Sequence, residues 1–242
     1  MRFFLYFSYD GTDYHGWQIQ PNAVTVQEKI NESLSVLLRE NIETVGAGRT
    51  DAGVHARMMV AHFDTKVNFV ESILVDKLNR ILPQDIAVSK VVRVADTDHA
   101  RFNAKSRTYY YDVYCGKMPF CRQYATRLYF QPDFKAMNDA ADLLKSYTDF
   151  TSFSKLHSDA KTNICHIHYA RWIEISPNYW RFEIKADRFL RNMVRAIVGT
   201  LLDVGKGKLD IRGFVEVIEQ KSRNSAGESV PAKGLSLVNV EY

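Results

Sequence analysis

No stretch of the 242 residues is apolar for long enough to cross a bilayer, which removes a transmembrane helix from the open readings. Cysteine is scarce. Cys115, Cys121 and Cys165 cannot all pair and are not spaced as a disulfide framework, so free thiols in a reducing, cytoplasmic setting are expected. The opening MRFFLYFSYDGTDYHGW is aromatic and acidic and lacks a small-residue cleavage site, so no signal peptide is expected. Neither sign of charge dominates: 32 basic against 28 acidic residues leave a net charge of +4, too small a balance to argue by itself for a nucleic-acid partner. Nor is there a low-complexity linker to divide the chain.

The usual residue sets for phosphate and metal chemistry are also missing. Gly46-Ala47-Gly48 begins like a dinucleotide fingerprint, but Asp51 occupies the third glycine position, where a carboxylate repels pyrophosphate. Gly48 and Gly53 have the Walker spacing, yet Val54-His55 replaces the Lys-Ser/Thr pair that holds phosphate and magnesium. No His-Glu-x-x-His or His-x-Glu deaminase element occurs. Cys165, His166 and His168 are close in sequence. On an alternating strand, though, the cysteine faces away from the two histidines, so no metal site is expected there.

What is present is ordinary globular composition, 46% hydrophobic and 25% charged. RFFLYFSY reads as a strand ending at the turn Asp10-Gly11. Thr25-Val-Gln-Glu28 is a capping box before Val26, Ile30, Leu34, Leu37 and Leu38 at helical spacing. After the glycine-rich stretch come a strand MMVAHF, a helix with Leu74, Leu78, Ile81 and Leu82 stopped by Pro83, and a strand alternating at Ile86, Val88, Val92 and Val94.

The pattern then restarts with the strand RTYYYDVYC, a helix capped by Asp133, and the hairpin HIHYARWIEI/YWRFEIKA about Pro177-Asn178. Asp187 is expected to cap a long helix, RFLRNMVRAIVGTLLDVG; a shorter helix at Phe214, Val217 and Ile218 and the strand LSLVNVEY finish the chain. The fold class expected is α+β: two related halves, 1–105 and 106–242, with antiparallel sheets flanked by helices around a central cleft.

Three constellations carry candidate chemistry. In VGAGRTDAGVHARM, glycines flank Arg49-Thr50-Asp51. An aspartate in such a loop commonly forms a turn; alternatively, a neighbouring arginine favours its ionised form, which suits a nucleophile. In DHARFNAKSRTYYY, the cations Arg101, Lys105 and Arg107 lead into three tyrosines. Alternation puts Tyr109 and Tyr111 on one face and Tyr110 on the other, so at least one ring is core. On the helix expected after Asp187, Arg188, Arg191 and Arg195 fall at i, i+3 and i+7 and form a stripe, with Arg195 deepest and Asp51 a plausible carboxylate partner.

GRTDAGVHA, with YDGTDYHGWQIQ, RFNAKSRTYYY, FLRNMVRAIVGTL and PAKGLSL in order from Tyr9 to Leu237, resembles the tRNA pseudouridine synthase A family over essentially the whole chain. The resemblance implies a pseudouridine synthase fold of two RRM-like halves around the cleft. It also implies an isomerase that turns uridine into pseudouridine in the tRNA anticodon stem-loop, at tRNA positions 38, 39 and 40, with no metal or organic cofactor, usually as a homodimer. Carried over residue by residue, Asp51 is the catalytic aspartate, Arg49 helps hold the target nucleotide, Tyr109 contacts its base, Arg195 pairs with the carboxylate and Leu235 lies near the pocket. Arg101, Arg107, Arg188 and Arg191 are candidate RNA contacts. Two rival readings are a non-catalytic RNA-binding protein, which leaves GRTD without a purpose, and a nucleotide- or metal-dependent enzyme, against which the failed motifs argue.

Overall fold

The computed structural model describes residues 1–155 and 162–242. They form two compact units, residues 1–105 with Ser236–Tyr242, and residues Ser106–Leu235. The second unit thus ends at Leu235 rather than at the chain terminus, because the closing strand packs with the first unit.

In the first unit, β1 (Arg2–Tyr9) is followed by α1 (Val26–Leu38), β2 (Val45–Gly46), β3 (His55–Asp64), α2 (Glu71–Ile81) and β4 (Ile86–Val94). The antiparallel core is β4-β1-β3, with Leu5 opposite Ala61 on one side and Val91 on the other. The Thr25 hydroxyl caps α1 by accepting the Glu28 N–H, and Val26, Ile30, Leu34 and Leu38 turn inward as their spacing predicts. Leu82, held extended by the following Pro83, ends α2.

Two details depart from the sequence pattern. Met59 to Phe63 are buried on both faces of β3 instead of alternating. On β4, Tyr6 pairs with Lys90 but Phe7 with Val88, so Ser89 is an extra residue and inward-facing positions run Ile86, Val88, Val91 rather than on to Val92 and Val94.

The second unit contains β5 (Ser106–Cys115), β6 (Thr126–Leu128), α3 (Phe134–Leu143), β7 (Ile167–Ser176), β8 (Tyr179–Ala186), α4 (Met193–Gly205) and α5 (Ile211–Glu219). Its sheet runs β5-β8-β7, antiparallel, with β6 added parallel to β5. Asp133 and Asp210 cap α3 and α5 through their carboxylates. Phe134 stacks on Trp180 at 3.8 Å, and Phe150, Phe153, Phe182 and Phe214 are fully buried.

The last strand, β9 (Leu235–Glu241), runs parallel to β3 with Ser236 opposite His55 and Leu237 opposite Ala56. β2 also pairs with β3, at Ala61 and His62. No helix among the described residues is long and apolar enough to cross a membrane.

The helix expected to begin at Asp187 begins instead at Met193. The Asp187 carboxylate is occupied by the N–H groups of His166 (2.8 Å) and Arg188 (2.6 Å), and its carbonyl accepts from Arg107 (2.8 Å). Asn192, at φ +67°, lies in the left-handed region and cannot continue a helix backward. Arg188 and Arg191 therefore precede α4, and the three-arginine stripe does not exist. Arg195 sits in the first turn rather than deep along the axis.

Candidate functional site

The loop from Ala47 to Val54 carries Arg49, Thr50 and Asp51 between β2 and β3. Asp51 and Thr50 are half-buried and Arg49 is exposed. A reverse turn closes when the Asp51 carbonyl accepts the Val54 N–H (3.2 Å), a main-chain bond that does not draw on the carboxylate. Gly53, third in that turn, has φ +75°, which glycine adopts without the steric cost a Cβ would bring. Gly46 is required for another reason: a Cβ there would lie 2.6 Å from the Trp17 indole nitrogen. Gly48 has open space around it, so of these glycines it alone answers to neither constraint.

The stretch Tyr9–Trp17 braces this loop from below. The Tyr9 hydroxyl shares a hydrogen bond with Thr50 Oγ1 (2.8 Å), Gly53 N–H donates to the Tyr14 carbonyl (3.2 Å), and Trp17 N–H reaches the Thr50 carbonyl (3.4 Å). Gly16 is at φ +89°, and a Cβ on it would stand 2.3 Å from the Thr50 oxygen. Gly11 N–H donates to Nδ1 of buried His55 (3.0 Å), and a Cβ on Gly11 would fall 2.0 Å from the Val54 oxygen. Thr12 closes the Asp10 turn through both its N–H and its hydroxyl. The Tyr14 hydroxyl donates to Asp85 (2.7 Å); burial, then that carboxylate, pushes its pKa far upward, so it remains a protonated donor. Sequence reading singled out YDGTDYHGW as a motif without giving it a task. Its task here is to hold the loop at Thr50 and at Gly53, the positions that flank Asp51 and Ala52 in the chain.

In the second unit, alternation along β5 gives the three tyrosines different surroundings. Tyr111 is the fully buried one; its hydroxyl donates to the Pro231 carbonyl (3.0 Å) and so accepts from Thr126 (2.6 Å). Tyr110 carries the Arg181 guanidinium 4.5 Å from its ring centroid, and that arginine grips Asp112 with two bonds of 2.7 and 2.9 Å. Tyr109 is half-buried, with its ring edge-on to Phe189 at 5.1 Å.

Arg195 is tied to the Ser229–Pro231 segment: Nε donates to the Val230 carbonyl (2.7 Å), and Val230 N–H returns to the Arg195 carbonyl (3.3 Å). Leu235 is buried, following a turn in which a Cβ on Gly234 would sit 2.7 Å from the Tyr111 ring. The PAKGL chain thus passes directly over Tyr111. In the same unit Arg107 and Arg188 are half-buried and Arg191 is exposed. Arg101, in the first unit, is exposed and lies 5.7 Å from the Phe102 ring. The Cys165 thiol is buried and its pKa is raised to about 12, chiefly by that burial, while His166 and His168 are exposed.

A family model described as tRNA pseudouridine synthase matches residues 6–103 and 140–242, which include the Asp51 loop, its brace and Arg195. A Bacteroides thetaiotaomicron protein named tRNA pseudouridine synthase A is 58% identical over all of this chain and 90% of its own length. A Porphyromonas gingivalis protein of the same name is 51% identical, covering all of this chain and 97% of its own length. One from Thermoanaerobacter pseudethanolicus is 39% identical over 97% of this chain and 96% of its own. With similarity running from end to end through both units, the chain belongs to the tRNA pseudouridine synthase family.

Proposed function

We propose that this protein isomerises uridine to pseudouridine in the anticodon stem-loop of tRNA, at tRNA positions 38, 39 and 40, with Asp51 as nucleophile. The observation that carries the reading is the braced loop. Asp51 stands in a loop held by Tyr9 through the Thr50 hydroxyl and by Tyr14 and Trp17 through the main chain, an investment in geometry that a solvated turn does not need. Family membership and relatives that bear the synthase name along their whole length support it.

The reaction exchanges one bond for another. N1–C1′ breaks, C5–C1′ forms, C5 gives up its proton and N1 gains one. Nothing is oxidised or hydrolysed overall, so the reading assigns no organic cofactor or metal. An ionised Asp51 serves this exchange by adding to C1′, by adding to the base at C6, or by taking a ribose proton on a glycal route. The target base leaves the stack at a cost of a few kcal/mol, offset by contact with the pocket. Tyr109 is the ring against that base, Arg49 and Arg195 steady the nucleotide and the carboxylate, and Leu235 supplies apolar wall. Arg101, Arg107, Arg188 and Arg191 contact phosphates in this reading, as separate loop and strand residues rather than one helical stripe. The enzyme acts in the cytoplasm as a homodimer built from N-terminal and C-terminal α+β halves.

The test is tritium release from tRNA labelled at uridine C5, for wild type and Asp51→Ala in the presence of chelator. Release by wild type alone, with the variant still binding tRNA at near wild-type affinity, is the expected result. An Asp51→Ala protein that loses affinity and activity in parallel overturns the nucleophile assignment. A wild type that binds tRNA and releases nothing overturns the enzyme reading in favour of an RNA-binding protein.

A further inference from the structure

Between Val113 and Pro132 the second unit contains no acidic residue, yet it carries Lys117, Arg122 and Arg127 among Phe120, Tyr124 and Tyr129. Phe120 is 98% exposed and Tyr129 84%, the two most exposed large hydrophobic or aromatic side chains among the described residues. Core packing does not explain a solvent-facing phenylalanine and tyrosine in one short segment, and isolated exposure does not account for their shared company of cations.

The segment that presents them is fixed. A 3-10 turn at Pro119–Cys121 leads into Tyr124 and Ala125, whose N–H groups both reach the Cys121 carbonyl (3.0 and 2.9 Å). β6 then pairs with β5, and its alternation buries Thr126 and Leu128 while turning Arg127 outward. The Thr126 hydroxyl bonds buried Tyr111, and Lys233 Nζ clamps the Arg122 carbonyl (3.0 Å). Arg127 lies over the Tyr129 ring at 4.7 Å, and its Nε has no hydrogen-bond partner among the described residues.

We infer that this segment is a docking surface for an unpaired stretch of RNA, with bases on the Phe120 and Tyr129 rings and phosphates on Lys117, Arg122 and Arg127. Flat rings receive any base through its π-face, and cations spaced between them follow the backbone. Duplex RNA hides its bases and would leave both rings in water. With three cations and no acidic residue, the segment's charge complements a polyanion. The inference rests on the RNA-modifying reading above and adds to it a contact made by residues other than those assigned to the target nucleotide. Because the platform is already ordered, little entropy is lost when it binds.

The experiment measures tRNA affinity and its salt dependence for the full chain, with single-turnover tritium release in parallel. Phe120→Ala with Tyr129→Ala is expected to weaken binding about tenfold at constant salt, and to leave the release rate at saturating tRNA unchanged. Tyr129→Phe restores binding. Lys117→Ala or Arg122→Ala lowers the slope of log Kd against log salt by about one unit each. A short unpaired RNA competes with tRNA on wild type and not on the double variant. Unchanged affinity in the double variant, while wild type remains active, overturns the surface alone. A wild type with no activity and no tRNA binding overturns the RNA reading and this surface with it. If sedimentation shows the double variant dissociating a wild-type dimer without loss of tRNA affinity per protomer, the rings serve self-association and the inference is wrong.

Discussion

Gly16→Ala tests whether the brace under the Asp51 loop sets the rate of chemistry. A Cβ at this position stands 2.3 Å from the Thr50 oxygen and 3.1 Å from the Asp51 carbonyl carbon, where ordinary contact begins at 3.4 Å. Relief therefore needs a movement of about 1 Å. The brace side is pinned, since the Gly16 carbonyl accepts the Val26 N–H at the start of α1 and the Trp17 carbonyl accepts from Gln27. The movement falls on the Thr50–Asp51 peptide. A displacement of about 1 Å in a reacting group costs on the order of 100-fold in rate. The φ of +89° adds roughly 1–2 kcal/mol of backbone strain for a residue bearing a Cβ, which lowers the melting temperature by several degrees. Gly48→Ala is the matched control, since it lies in the same loop with nothing within 4 Å of its Cβ. Single-turnover tritium release, circular dichroism and tRNA affinity are measured on both. The expected result is a large loss of rate in Gly16→Ala with affinity retained, and a near wild-type rate in Gly48→Ala. If Gly16→Ala melts lower but reacts at the wild-type rate, or if both variants lose rate alike, the brace does not position Asp51.

Tyr9→Phe removes the 2.8 Å bond to Thr50 Oγ1 without changing ring volume, so it is expected to cost about 1 kcal/mol of stability and to slow release several-fold with KM for tRNA unchanged. A KM effect alone would mean that Tyr9 serves binding instead. His62 is buried and accepts the Ala100 N–H through Nδ1; burial first, then the Arg2 charge, lowers its pKa from 6.5 to about 4. In the interval between those values the unfolded chain binds the extra proton and the folded one does not. Stability from this group is full above pH 6.5 and is lost as the pH falls toward 4. Urea midpoints should therefore drop across that interval, and His62→Gln should flatten the drop; an equal drop in both proteins would assign it to other groups.

Elements announced by local chemistry were legible in the sequence. The Thr25 cap, the Pro83 stop, the Asp133 cap and the Pro177-Asn178 turn each act within a few residues, and the structure has them all. What escaped depends on neighbours far along the chain. Two-residue β2 and three-residue β6 are too short to show a period and exist because β3 and β5 supply their hydrogen bonds. The extra Ser89 in β4 is defined by its register against β1. Asp187 looked like a helix cap because the sequence does not show that the His166 and Arg188 amides compete for its carboxylate.

The candidate site divides along the same line. Arg49, Thr50 and Asp51 announce themselves because loop glycines and charges are adjacent, but the brace joins Tyr9 to Thr50 across 41 positions. The glycines make the distinction concrete. Gly46, Gly48 and Gly53 look equivalent in VGAGRTDAGV, yet one yields to the Trp17 ring, one supplies a positive φ and one meets neither demand. Likewise RTYYY alternates faces as any strand must, but alternation alone does not say which ring is buried. Tyr111 becomes core because Gly234, lacking a Cβ, lets the PAKGL backbone close over its ring and the Pro231 carbonyl accepts its hydroxyl, whereas Tyr109, on the same face two residues earlier, stays half-buried with its ring edge-on to Phe189. Periodicity chooses the side of a sheet; the segment that returns from elsewhere in the chain decides whether a residue there packs, pairs or stays available to a substrate.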